Sequence, residues 1–590
     1  METKWSLDDL YTSFDSQEYQ QDFNDLKQEI ERMNRWADEN FTSQEDEVRK
    51  LEEYVNMQND FVRFMKLSAY AGLTLSVDTM NSQAAKALDV LGDLFTGLAK
   101  PSVMFESFLE KIENLDEKID SSELLKAHQF VLKEMQQKSR YRLSEAEEIM
   151  LAKLQMSGSN LWSKMREQLT STLSVDITIN GENKQEPLSV VRNYAYDKDP
   201  ELRKNAYEAE LKSYEKIDKA VSFALNGVKG EALTISKMRR YESPLDMALF
   251  SSRMNHNILN ALLEGIEEYL PVFQKYLRKK GEYLNHQNGL PFYDLFAPVG
   301  EVHKQFSYDE AAGFVIEHFT KFSKKLGDFA IHALQNKWVD ALPAHGKQGG
   351  AFCSNLHAIK QSRILLNFTG PFSDVTTLAH ELGHAYHGDC LKDEYYNNSH
   401  YPMPIAETAS IFCETIVCNA AIEVASPQEA AAISESSIAD MTQVIVDIYS
   451  RFLFEDEVFK RRDSGSLQVG ELKEIMLNAQ KKCYGDGLNH DILHPYMWLC
   501  KPHYYYASEN YYNFPYAYGL LFAKGCYARY LNDKNAFVEK YDEMLSLTGK
   551  LSLKELGDFM GMDVESKGFW RESLQAIANE VETLCETLQK

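Results

Sequence analysis

Proline is scarce, with only 15 among 590 residues, so the residue that most often breaks long helices is largely missing. Cysteine is sparse and unpatterned. The eight cysteines, at 353, 390, 413, 418, 483, 500, 526 and 585, form neither a disulfide framework nor a CxxC metal site. Positive charge is also short: 63 Lys plus Arg stand against 89 Asp plus Glu, a formal charge of -26. Such a surface repels phosphate backbones and anionic lipids, which argues against nucleic acid and membrane partners. METKWSLDDLYTSFDSQEYQ lacks the basic, apolar pattern of a secretory leader, and no uninterrupted apolar run is long enough to cross a bilayer. A cytoplasmic protein with reduced thiols is expected.

What is present is a helical pattern. Hydrophobic residues make up 44% and charged residues 26%, the usage of a folded globular protein. Segments 43–100, 104–170 and 197–238 place apolar residues three and four apart between charged ones, as amphipathic helices do. Asp199 and Pro200 read as an N-cap and a first-turn proline, with Leu202, Ala206 and Leu211 on the buried stripe. Two segments depart from this. Val175, Ile177 and Ile179 alternate before Asn180-Gly181, a hairpin signal, and a division is expected there between an N-terminal helical region, 1–190, and a region carrying the chemistry, 191–590. At 345–374, Gly349-Gly350 marks a turn and Arg363–Phe368 reads as a short apolar strand. An exposed strand beside a catalytic centre can pair with an extended peptide through main-chain hydrogen bonds.

The chemistry concentrates in TLAHELGHAYHG, 377–388. Ser373 or Asp374 can cap a helix that runs through this string and stops at Gly388. On a helix, residues four apart differ by roughly 40° in direction, so His380 and His384 can converge on one metal ion while Glu381 reaches a water beside it. A chance HExxH is expected on the order of 0.03 times in a chain of this length. An open catalytic zinc site needs a third protein ligand. The metzincin pattern would place glycine and histidine where this chain has His387 and Cys390, so the ligand must come from elsewhere. In IAETASIFCETIVCNAAIEV, Glu407 and Glu414 are seven residues apart and share a helix face. Carboxylates in so apolar a segment call for a cation or good donors. One would be a ligand and the other would orient a ligand histidine, and spacing alone leaves their order open. His387 reads as a histidine bonded near the helix end, outside the ligand set. Further on, 494–530 holds ten of the 32 tyrosines. Most are packing residues, yet peptide hydrolysis needs donors for an oxyanion, and His503 with a tyrosine hydroxyl could supply them.

Taken in order, these segments resemble the oligoendopeptidase F group of the thimet oligopeptidase family of zinc metallopeptidases. HELGHAYH is similar to its zinc motif, ETASIFCET to the segment carrying the third ligand and a second glutamate, and KPHYYY with YYNFPYAYG to its substrate-binding histidine and tyrosines. The resemblance extends over most of the chain, including the WSLDDLY start and the GGAFC loop. It implies a mainly α, elongated molecule with a deep channel and a small β-sheet beside the motif helix, in which region 1–190 is a lid admitting short, unfolded peptides. It also implies one zinc per chain held by His380, His384 and Glu407, with Glu414 behind them and Glu381 as general base. His503, Tyr512 and Tyr516 would serve the oxyanion, and Gly349, Gly350, Phe352 and Tyr505 would bind substrate.

Two rival readings remain at this stage. A carboxypeptidase or dipeptidyl carboxypeptidase could use the same centre but would need donors for the substrate's terminal carboxylate. A non-catalytic peptide-binding protein would be expected to have lost Glu381 or a ligand, and every part is present. Oligomeric state, cleavage preference and the choice of zinc over cobalt or manganese lie beyond these patterns.

Overall fold

Helix caps and apolar stripes written in the sequence account for most of the architecture. The structure, a computed structural model, describes residues 2–300, 304–506 and 508–588. Pro200–Tyr214 begins as expected, with the Asp199 side chain accepting from the Glu201 N–H and proline in the first turn. His256–Tyr283 is the longest helix described, capped by Asn255 and packed along Lys567–Thr587.

Two apolar cores form. The smaller runs from Leu10 to Leu132 and takes in Leu356, and the larger begins at Leu173 and continues to Cys585. The hairpin is where the alternation puts it: β1 (Ser174–Ile179) pairs antiparallel with β2 (Glu182–Pro187) across Asn180-Gly181, both with positive φ. Val175 and Ile177 are buried in the larger core.

A second sheet joins the two cores. Its strands are β3 (Val339–Asp340), β4 (Phe352–Leu356) and β5 (Gln361–Leu365), in the order β3-β5-β4. The predicted strand at 363–368 is therefore shifted. Pairing ends at Leu365, although the N–H groups of Leu366 and Phe368 still bond to the carbonyls of Asp340 and Ala341. β5 is central, β3 and β4 are the two edges, and among the described residues one side of β4 is unpaired. The WSLDDLY start closes over this sheet: Ala341 donates to the Thr3 carbonyl, and the buried Arg363 donates to the Ser6 carbonyl and Asp9.

The motif helix, Phe372–Leu391, is longer than expected. Pro371 precedes it with no side-chain cap. Asp374 instead accepts from the Thr369 and Gly370 N–H groups, tightening the turn that leads in. Gly388 does not stop the helix. It lies inside, facing β4, where a Cβ would sit 2.3 Å from Asn355 Oδ1. Gly383 allows another close approach, since a Cβ would lie 2.7 Å from the Ala409 carbonyl oxygen and Ser410 Cα. The motif helix thereby crosses Thr408–Val424 with backbones nearly touching. By length and composition Met403–Val424 could span a bilayer, but 67% of its most apolar window is buried inside the protein, and Glu407 and Glu414 interrupt it.

Candidate metal centre

The HExxH spacing does what helix geometry requires. The imidazole rings of His380 and His384 stand 4.9 Å apart, and one oxygen of Glu407 lies 3.2 Å from His380 Nε2 and 3.3 Å from His384 Nε2. The three ligand atoms fall within 4.8 Å of one another. A tetrahedral zinc with bonds of about 2.0–2.1 Å holds its ligand atoms about 3.3–3.4 Å apart, so the carboxylate-to-imidazole spacing already suits such an ion.

Glu407 arrives by a route that spacing did not reveal. It is not on a continuous helix with Glu414 but at the break between Met403–Ala406 and Thr408–Val424, with φ -88° and ψ 1°. Ser410, fully buried, donates to Glu407 Oε2 at 2.8 Å and to its carbonyl at 3.0 Å, fixing the carboxylate's direction. Glu414 reaches His380 from the other side, with Oε2 3.2 Å from Nδ1. A ring that donates Nδ1–H to Glu414 leaves the Nε2 lone pair for a cation. Neither carboxylate is fully buried: the Glu407 and Glu414 side chains are 27% and 37% exposed, because both face a cavity.

The local field favours positive charge. Burial disfavours a charged His380, but hydrogen bonds to Glu407 and Glu414 outweigh it and push the ring up to about 10. Burial also opposes ionisation of Glu407, yet the two histidines hold it well below the usual carboxylate range. A field that stabilises an imidazolium between two carboxylates can accept a divalent cation in the proton's place. Glu381, 6% exposed, is shifted the opposite way: burial raises its carboxyl, the neighbouring histidines lower it, Glu407 adds to the rise, and the outcome is upward. Its surroundings extend to β4, where burial and then the Glu381 charge push up the Cys353 thiol.

The centre opens onto a cavity of about 550 Å³ lined in part by His380, Glu407, Glu414, Tyr516, Asp440 and Lys524. Tyr516 is one of four rings that gather there. Tyr512 lies 5.1 Å from His503 and 5.9 Å from Tyr516, and Tyr506 is 5.0 Å from Tyr512, centre to centre. Burial first, and then Tyr512 and Glu407, raise the Tyr516 hydroxyl, which stays protonated and able to donate. Tyr511 aims this cluster. Its left-handed backbone (φ 54°) is held by its N–H on Glu455 Oε1 at 3.0 Å and its hydroxyl on Asp456 at 3.1 Å. Glu455 is in turn paired with the buried Lys229 at 2.6 Å.

Other predicted residues take different places. Tyr505 is 2% exposed, and its hydroxyl donates to the Trp498 carbonyl at 3.1 Å. The short turn Pro502–Tyr505 buries Tyr504 and Tyr505 and leaves His503 and Tyr506 partly exposed, so the Tyr505 hydroxyl is turned into the core. Phe352 lies against Trp5 and the smaller core. Alternation along β4 explains this: Asn355, and Cys353 beside Glu381, are turned toward the motif helix, and Phe352 and Leu356 are turned away from it. Gly349 and Gly350 are exposed just before β4. Gly350 has φ 84°, and Asn367 pins the loop by donating to the carbonyls of Gln348 and Gly350. His387 is fully buried, stacked on Tyr401 and bonded to Thr548 at 2.8 Å.

Comparison with known proteins converges on the same region. Residues 193–576 match the family model of Peptidase family M3, and residues 111–174 match that of Oligopeptidase F. The chain is 25% identical over 568 residues to Oligopeptidase PepF of Bacillus subtilis, covering 92% of this chain and 81% of the relative. It is 26% identical over 522 residues to an oligoendopeptidase F homolog of Borreliella burgdorferi, covering 85% of each. The fold is similar to that of oligoendopeptidase-F from Enterococcus faecium, with a TM-score of 0.71, 18% identity, and 97% of this chain and 99% of that one covered.

Proposed function

The chain belongs to peptidase family M3 and is a metalloendopeptidase, and from that premise we propose that it is a zinc-dependent oligoendopeptidase cutting internal bonds of short, unstructured peptides. The observation that carries this reading is the convergence of His380 Nε2, His384 Nε2 and a Glu407 oxygen within 4.8 Å, beside the buried Glu381. His380, His384 and Glu407 would hold the zinc, with Glu414 and Ser410 orienting the first and the third. Zinc in such a site supplies Lewis acidity and makes a water acidic enough to attack at neutral pH.

The rest falls to the chain's own groups. Glu381 takes a proton from the attacking water and returns it to the departing amine nitrogen. Hydroxyls of Tyr512 and Tyr516 donate to the oxygen that gains charge as the carbonyl carbon becomes tetrahedral. The unpaired edge of β4, reached through the Gly349-Gly350 loop, aligns the peptide backbone by strand addition. No acyl-enzyme forms. With a formal charge of -26, the protein is read as an enzyme without nucleic acid or membrane partners.

The test is hydrolysis of internally quenched short peptides blocked at both ends, by the protein as purified, after chelation and after zinc is restored. Mass spectrometry identifies the products. Internal cleavage that vanishes and returns supports the reading. Cleavage only of peptides with a free C-terminal carboxylate would replace it with a carboxypeptidase.

A further inference from the structure

Behind the tyrosine cluster four polar side chains stand in line, and their donor and acceptor capacities locate a proton. Arg451 donates to Asp447 with one guanidinium nitrogen and to Asn513 Oδ1 with another, the latter at 3.2 Å. A guanidinium has no acceptor, so the amide atom facing it must be the oxygen, and Asn513 cannot be turned over. The same oxygen lies 3.1 Å from His503 Nδ1. Only an N–H can meet it there. Nδ1 therefore carries the proton, and in the neutral ring Nε2 is bare.

The ring is neutral at ordinary pH. Burial, and next the charge of Arg451, lower His503 to about 4 against the opposing hydrogen bond to Asn513. The support is rigid: Asp447, Arg451 and Asn513 are 7%, 5% and 1% exposed, and Asn513 immediately precedes the helix Phe514–Asn532. Among the described residues Nε2 meets no partner and is not sealed from solvent. The His503 ring stands among those of Tyr506, Tyr512 and Tyr516, with centres 5.5, 5.1 and 6.3 Å away.

We propose that Asn513, clamped by Arg451 and Asp447, is a positioning residue that holds His503 in the Nδ1–H form, so that Nε2 accepts a hydrogen bond from a backbone N–H of the bound peptide. Donation to the oxyanion is then left to the tyrosine hydroxyls, which reverses the polarity that the sequence suggests for His503. The proposal rests on the peptidase reading, since it assumes an extended peptide in the cleft.

Two experiments test it. In the first, the protein carrying 15N-labelled histidine is studied by NMR, with the His503 signals identified by their loss in His503→Gln. Nδ1 should be protonated and Nε2 not. Asn513→Asp should keep that form and Asn513→Ala should mix the two. An Nε2–H ring in the unsubstituted protein overturns the proposal whatever the variants do. In the second, blocked peptides have each non-scissile N–H replaced in turn by an ester oxygen. One position should lower kcat/KM about fivefold to tenfold, the worth of one hydrogen bond, and that loss should disappear in His503→Phe. Equal losses in both enzymes at every position overturn the proposal. Failure of the unsubstituted protein to cleave any peptide refutes the peptidase reading instead, and the NMR result still decides the tautomer.

Discussion

Replacing Gly383 by alanine adds one methyl group at the point where the motif helix crosses Thr408–Val424. That methyl would lie 2.7 Å from both the Ala409 carbonyl oxygen and Ser410 Cα, about 0.7 Å inside ordinary van der Waals contact. Both neighbours are backbone and cannot rotate away, so the helices must part. Glu407 is two residues before Ala409, and its oxygen is set 3.2 and 3.3 Å from the two histidine nitrogens. Metal–ligand distances tolerate only about 0.2 Å, so a shift of even half the deficit degrades the site. The expected cost is about 1–3 kcal/mol of stability and about a tenfold to hundredfold weaker zinc affinity, the range found when ligand support is lost. Denaturant unfolding gives the first quantity and competition with a chromogenic chelator the second. Gly349→Ala is the control, since nothing lies within 4 Å of its added Cβ. If Gly383→Ala unfolded and bound zinc as the unsubstituted protein does, the close crossing would not be what sets the ligand geometry.

Glu381→Gln should bind zinc normally and lose about 10²- to 10⁴-fold in kcat, and metal analysis beside a turnover assay separates the two effects. Glu414→Ala frees His380 Nδ1 and should weaken zinc binding about tenfold to hundredfold with the fold intact, as read by chelator competition and circular dichroism. Lys229→Met strands Glu455, both side chains being 1% exposed, and should cost about 3–5 kcal/mol in urea unfolding. His387 is lowered to about 3, by burial first and then by His384. Its unfolded form binds a proton that its folded form refuses, so its contribution is complete above the ordinary histidine range and is lost as pH falls toward 3. The urea midpoint should therefore fall less between pH 7 and 5 in His387→Leu than in the unsubstituted protein.

How much of this was legible beforehand depended on how local the signal was. His380 and His384 are one helical turn apart, and a turn is dictated by hydrogen bonds within the segment. Asn180-Gly181 was equally readable, because positive φ at both residues is a property of the dipeptide. Glu407 was only half visible. A seven-residue spacing assumes an unbroken helix, yet Pro402 and Pro404 start a single turn that breaks at Glu407, and Ser410 rather than periodicity aims the carboxylate. Gly388 misled because a glycine can serve packing as well as helix termination, and here the side chain of Asn355, from a separate strand, occupies the space beside it. Phe352 and Tyr505 follow the same lesson: one alternation along β4 and one tight turn after Pro502 decide which side chains meet the cleft. The Arg451 and Asn513 pair is 62 residues apart and carries no motif, although a buried arginine with an asparagine ahead of a helix could have prompted the question.

The central claim is that two imidazoles and one carboxylate from two crossing helices hold a single zinc. X-ray absorption at the zinc edge, on protein loaded with one equivalent, tests it most directly when repeated on Glu407→Ala. The account predicts a shell of nitrogen and oxygen only, at about 2.0–2.1 Å, with outer-shell scattering from two imidazoles, and in Glu407→Ala the loss of the carboxylate's contribution while both imidazoles stay on the bound zinc. A sulfur neighbour at about 2.3 Å, or a spectrum unchanged in Glu407→Ala, would contradict it.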